Sequence, residues 1–149
     1  MGLVDPELSV LLCDNATIHA LNQTWRGEDK ATDVLSFPLH EFDAPGVFDP
    51  ALLGEGGADE PGLSLGDIVI SLEYAEGLVE TREHHRRVAA ELGVAPETLT
   101  WSLDDEVHFL LIHGLLHLVG HDHMHDEEER AMMGEERRLW ELAAAQANA

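Results

Sequence analysis

The sequence predicts an α+β fold, one small β-sheet covered by helices, with a histidine-bearing helix buried in the core. Three observations carry this. Segments with strand character are few and sit early, whereas apolar residues at helical spacing dominate the second half. A length of 149 residues, 44% of them hydrophobic, suits one domain over residues 1–149 with one substantial core. Neither an internal repeat nor a composition break divides the chain.

Residues 7–13 read as a short strand. Asp14 is a good N-cap for a helix that places Ile18, Leu21, Asn22 and Trp25 on one face. Thr32 to Phe37 read as a second strand, ended by Pro38. Between Pro38 and Ser64 the chain holds four of its six prolines, five glycines, six acidic residues and no cation, which predicts a long flexible acidic loop over 38–64. Leu65 to Ile70 form the clearest strand, and Ser71 caps a helix that the spacing carries to about Leu92, where Gly93 ends it. Trp101 to Val119 read as an apolar helix. Asp126 opens and caps an acidic last helix to about Ala145, with residues 143–149 fraying.

Composition narrows the function. Eight basic residues against 30 acidic ones give a net charge of −22, a self-repelling surface that disfavours nonspecific binding to nucleic acid. Seven of the eight cations are arginine and the eighth is Lys30. Cys13 is the sole cysteine, so neither an internal disulfide, a redox pair nor a thiolate zinc site can form; within the apolar run from Leu8 it reads as a buried structural thiol. No stretch reaches the roughly 18 apolar residues of a membrane helix, and the start lacks a basic region, so the expectation is a cytoplasmic protein without a membrane partner.

The run His113-Gly114-Leu115-Leu116-His117-Leu118-Val119-Gly120-His121-Asp122-His123 puts three imidazoles within reach of a single metal ion. Four residues of helix turn through about 400° and rise about 6 Å, so His113 and His117 stand one above the other. Gly120 falls where a helix would end, since glycine accepts the left-handed conformation that reverses the chain, and the reversed segment can deliver His123. Three neutral nitrogens leave one tetrahedral position free for water, which separates catalytic zinc from closed structural sites. The competing reading is a pair of packed histidines. Burying two imidazoles among Leu115, Leu116, Leu118 and Val119 without partners would cost about 1–3 kcal/mol each, a cost that a metal removes. One zinc ion per chain is expected.

This motif, together with Leu21-Asn22-Gln23-Thr24-Trp25-Arg26-Gly27-Glu28-Asp29-Lys30-Ala31-Thr32-Asp33-Val34-Leu35-Ser36-Phe37-Pro38 and Leu65-Gly66-Asp67-Ile68-Val69-Ile70-Ser71, resembles the YbeY family of bacterial metal-dependent endoribonucleases and ribosomal RNA maturation factors. The similarity runs from about residue 7 to about residue 142. It implies zinc ligation by His113, His117 and His123, with Arg26 as the functional arginine and Arg26 and His113 as catalytic residues. It further implies cleavage of single-stranded RNA in maturation of the small-subunit ribosomal RNA 3′ end and in ribosome quality control, with the ribosome or its small subunit as partner. His121 stands where relatives carry other residues, including tyrosine, and is expected at the rim of the site. His19, His40, His84, His85, His108 and His125 match no motif and read as surface or packing residues.

Two departures accompany the resemblance. Family members usually carry a further strand and helix ahead of the segment that begins here near Leu8. Their lack implies either a late start or a reduced sheet with an uncovered strand edge and apolar face. The second departure is charge, because a cleft for RNA has only Arg26, Lys30, Arg82, Arg86, Arg87 and the metal to draw on. Arg82 and Arg86, four apart, share a helix face and form either a cationic strip or pairs with Glu80, Glu83 or Glu91.

Two rival functions remain. The histidine spacing is also that of metzincin peptidases, where the residue after the first histidine is a glutamate base; here it is Gly114, so such an enzyme would lack its proton acceptor. A zinc-stabilised ribosome assembly factor without catalysis would show the same three ligands. The general base of a nuclease stays open: Asp122 and Asp126 are near in sequence, and the RNA's own 2′-hydroxyl is an alternative nucleophile.

Overall fold

The computed structural model describes residues 6–42, 44–47 and 64–147. Strands β1 (Glu7–Cys13), β2 (Val34–Pro38) and β3 (Ser64–Ser71) form a sheet in the order β1-β3-β2. β1 runs parallel to β3, with Val10 opposite Ile68 and Cys13 opposite Ser71; β2 runs antiparallel to it, with Val34 opposite Ile70 and Pro38 opposite Gly66. β3 is therefore flanked on both edges and covered on both faces, which is why Ile68, Val69 and Ile70 follow one another without polar alternation and are all buried.

The period-2 alternation of β3 divides the core. Val69 turns to one face and packs with Leu35 and with Ile18 of helix α1 (Asn15–Arg26). Ile68 and Ile70 turn to the other and meet Leu110, Ile112, Leu116 and Leu118 of helix α4 (Leu103–Leu118) and Met132 of helix α5 (Asp126–Ala147). α1 starts at Asp14, whose carboxylate accepts from Thr17 N–H at 2.9 Å, and stops at Gly27 in the left-handed region at φ 69°.

The helix expected from Ser71 to Leu92 is two helices, α2 (Leu72–Val79) and α3 (Arg82–Leu92). Thr81 causes the break: its hydroxyl donates to the Leu78 carbonyl at 2.9 Å and accepts from His84 N–H at 3.3 Å, so it closes one helix and caps the next. Gly93 ends α3 as expected, at φ 71°. α4 starts at Leu103 rather than Trp101, because Ser102 and Asp105 form a reciprocal capping box. From Phe109 to Leu118 every residue of α4 is buried or half-buried, with His113, Leu115 and His117 among the half-buried. α5 remains helical to Ala147, so the fraying expected from residue 143 is not observed among the described residues.

The acidic segment 38–64 falls largely on residues 43 and 48–63, outside the described set. Its described parts are tied down: Leu39 N–H donates to the Leu65 carbonyl at 3.2 Å and Gly46 N–H to the Val119 carbonyl at 2.8 Å. Cys13 is half-buried rather than buried, and Leu8, Val10, Leu11 and Leu12 are 40–50% exposed, since β1 carries a neighbouring strand on one edge alone among the described residues.

One glycine is required by the sheet. Gly66 has φ 132°, and a Cβ there would land on the Phe37 carbonyl oxygen of the paired strand. Gly66→Ala is expected to destabilise the fold by about 2–4 kcal/mol in chemical denaturation, from backbone strain and clash together. A loss below about 0.5 kcal/mol, the scale of a neutral surface change, would mean that the strand pair relaxes freely around the added methyl group.

Candidate metal centre

Helical geometry stacks His113 and His117 on one side of α4, with ring centroids 4.7 Å apart. The chain then reverses through Gly120, at φ 100°, where an added Cβ would strike the Phe42 side chain at 2.9 Å. The reversal brings the His123 ring to 5.2 Å from that of His117 and 6.0 Å from that of His113. The three expected ligands thus gather at one place. Among the described residues no group of three or more His, Cys, Asp or Glu side chains is closed around a common point as a finished metal site. Two nitrogens converge, and the more exposed His123 stands off beside Asp122, its Nδ1 3.4 Å from that carboxylate.

Hydrogen-bond partners fix how the converging pair presents itself. His117 Nδ1 lies 3.0 Å from the His121 carbonyl oxygen, which can only accept, so Nδ1 carries the proton. His113 Nδ1 lies 2.6 Å from Glu136 Oε1, again an acceptor. The two Nε2 atoms face each other at 3.1 Å. Burial, and next the neighbouring His113, push the His117 imidazole down to about 4, so it is neutral at physiological pH with its lone pair on Nε2. Two such nitrogens at this separation repel unless a cation, a proton or a metal ion, lies between them. This arrangement of the pair, Nδ1 tied back to an oxygen acceptor and Nε2 pointing inward, is the one in which histidine binds zinc.

Two recesses meet at the histidines. A cleft of about 760 Å³ is lined by Arg26, Ser36, His40, Phe42, His113, His117, His121 and His123. Arg26 reaches it because α1 ends there; Asn22, 2% exposed, donates to the Lys30 carbonyl at 2.9 Å and pins the turn that follows. A smaller recess of about 270 Å³ shares Asp33, Val34, His113 and His123 with the first and is walled by His84, Arg87, Glu91, Glu106, Glu129 and Glu136. His121 lines the wide cleft, and its Nδ1 is buried without a hydrogen-bond partner among the described residues. Asp122 also borders that cleft, whereas Asp126 borders neither recess.

Sequence reasoning missed several polar residues. His84, expected at the surface or in packing, is 6% exposed and inside a buried relay: Arg87 donates to its Nδ1 at 3.1 Å, and its Nε2–H donates to Glu106 at 2.7 Å. Trp101 Nε1–H donates to the same Glu106 oxygen at 2.7 Å. Glu106 and Glu136 are 1% and 4% exposed. The available signal was each carboxylate's place on an apolar helical stripe, Glu106 with Phe109 and Leu110, Glu136 with Met132 and Leu139. Arg82 and Arg86 are exposed, border neither recess and make no ion pair among the described residues, so neither their expected cationic strip at the site nor the paired alternative is observed.

The family described as Endoribonuclease YbeY matches this chain over residues 2–143. The chain belongs to the YbeY family. Proteins named Endoribonuclease YbeY from Rhizobium etli (strain CIAT 652) and Clostridium botulinum (strain 657 / Type Ba4) are each 40% identical to it over 134 residues, covering 90% and 87% of this chain. One from Bacillus cytotoxicus is 36% identical over 138 residues and 89% of the chain. The chain spans 61% of the length of the Rhizobium relative and 70% of the other two. A solution structure from Thermotoga maritima aligns with 97% of this chain and 73% of its own, at 24% identity and a TM-score of 0.49.

The acidic wall of the smaller recess has a measurable consequence. Burial, and next the charge of Glu136, raise the Glu91 carboxyl above the ordinary glutamate range, with Arg87 offsetting part of the effect. A carboxyl raised in the folded state binds more protons there than in the unfolded chain, so it costs stability above its folded value and returns it as pH falls through that value. Glu91→Gln is expected to melt higher than the wild type at pH 7, with the gap closing as pH is lowered towards 4. A gap independent of pH would assign the effect to packing.

Proposed function

We propose that this chain is a zinc-dependent endoribonuclease that cuts single-stranded RNA and serves ribosomal RNA maturation at the small-subunit 3′ end and ribosome quality control, in the cytoplasm and on the ribosome or its small subunit. The observation that carries the reading is the pair of inward-facing Nε2 atoms of His113 and His117, 3.1 Å apart, in a cleft that Arg26 also lines. Membership of a family described as endoribonucleases supports the reaction class. His113, His117 and His123 would hold one zinc ion. Bound there, zinc supplies Lewis acidity towards a phosphoryl oxygen.

The chain's own residues do the rest. Arg26, exposed at the end of α1, offers a planar fork to a phosphate and supports the charge that develops on it, a role that lysine's point charge fills poorly. The wide cleft suits a polyanion better than the smaller recess, whose wall carries Glu91, Glu106, Glu129 and Glu136. A peptidase reading is not favoured: Gly114, at the position of the metzincin base, is buried against Ile68 and does not line either recess.

Metal analysis combined with RNA cleavage tests the proposal. The wild type is expected to bind about one zinc per chain and to cut single-stranded RNA until a chelator removes the metal; His117→Ala is expected to lose both. Full zinc occupancy in both His117→Ala and His123→Ala would rule out the ligand assignment, and zinc binding with ribosome association but no turnover would favour an assembly factor.

Arg26→Lys is expected to keep fold and zinc while losing about 10²–10³ in single-turnover cleavage rate. An unchanged rate would make Arg26 a structural residue.

A further inference from the structure

We propose that Glu136 is a positioning residue for the metal site: its carboxylate holds the proton of His113 on Nδ1 and so turns the Nε2 lone pair inward. The inference rests on the reading of His113, His117 and His123 as zinc ligands.

Glu136 lies on α5, 23 residues beyond His113, and its Oε1 is 2.6 Å from His113 Nδ1. It is 4% exposed, in a place where its stripe otherwise continues with Met132, 2% exposed, and the partly buried Leu139. Burying a carboxylate there is unfavourable unless a donor meets it, and among the described residues His113 is that donor. An apolar side chain would serve the packing of α5 better, so packing alone does not account for the glutamate.

The two helical histidines are oriented by different means. His117 is held by the His121 backbone carbonyl, which no side-chain substitution removes. His113 is held by one side chain, from a helix that supplies no ligand. An ionised carboxylate behind an imidazole fixes the ring and raises the basicity of its far nitrogen, and loss of such a partner typically weakens metal binding about 10–100-fold.

The test uses Glu136→Leu, which keeps the volume, continues the apolar stripe and removes the acceptor, and Glu136→Gln, which keeps an acceptor oxygen without the charge. Zinc affinity is measured for the folded proteins by competition with a chelator at constant pH, and ring nitrogen NMR reads the His113 tautomer in the metal-free state. Glu136→Leu is expected to bind zinc about 10–100-fold more weakly and to lose the Nδ1–H preference of His113. Glu136→Gln is expected to retain that preference and to fall between Leu and wild type in affinity. A residue that merely packs α5 would shift the melting temperature of the metal-free protein and leave affinity and tautomer alone, which would overturn the proposal; so would an equal loss in both variants. A wild type that takes up no zinc would overturn the ligand reading together with this inference, whereas a wild type that binds zinc beside an unaffected Glu136→Leu would overturn this inference alone.

Discussion

The contact on which the rest of the structure depends is that of Gly114 with Ile68. A Cβ at residue 114 would meet the Ile68 side chain at 3.0–3.2 Å, so the missing side chain is what lets α4 lie this close to the central strand. The Ser36 hydroxyl donates to the Gly114 carbonyl at 3.3 Å, tying β2 to the same turn of helix. With residue 114 facing the sheet, residue 113 lies about 100° and residue 117 about 60° round the helix from it, on the flank that borders the cleft. A glutamate at this position would set its Cβ 3.0–3.2 Å from the Ile68 side chain, which would have to give way before the rest of the glutamate is placed. The departure from the metzincin pattern is therefore a packing constraint as well as a missing functional group.

The second organising feature is the way acidic groups are distributed in a chain of net charge −22. Four acidic residues, Asp126 to Glu129, occupy the first turn of α5, where the helix dipole favours negative charge. Glu106 is fully buried but accepts from both His84 and Trp101, and Arg87 backs the histidine, so the charge lies at the end of a satisfied relay. Glu136 is buried against His113. The two fully buried carboxylates, Glu106 and Glu136, each meet an N–H donor, and the half-buried Glu91 has Arg87 to offset part of its burial; between exposed carboxylates salt screens repulsion beyond about 10 Å at 0.1 M.

Much of this was legible in the sequence. Asp14, Ser71 and Gly93 mark helix ends because each supplies a local group that a helix terminus lacks, and local chemistry is what a sequence displays directly. The stacking of His113 on His117 follows from helix pitch, and the reversal at Gly120 from a conformation that other residues rarely adopt. Thr81 was harder, since the apolar spacing passes across it and only its hydroxyl, competing with the backbone, divides α2 from α3. Cys13 was misjudged for a different reason: an apolar run states what would gain from burial, and whether it is buried depends on which elements lie beside it.

The long-range polar pairs were the least legible part of the site. Nothing local to Glu136 distinguishes it from Glu135, its neighbour, which forms an ordinary surface pair with Arg138. The difference is helix phase: Glu136 falls one turn after Met132 on the face that α5 turns to the core, and Glu135 falls about 100° away. The same argument sets Glu106 apart from Asp104 and Asp105 at the start of α4. An ionisable residue in phase with an apolar stripe must have a buried partner, because the fold could otherwise have taken a hydrocarbon there at lower cost. Phase therefore identifies such a residue from sequence, and the register between two helices identifies its partner, which is information that no single segment contains.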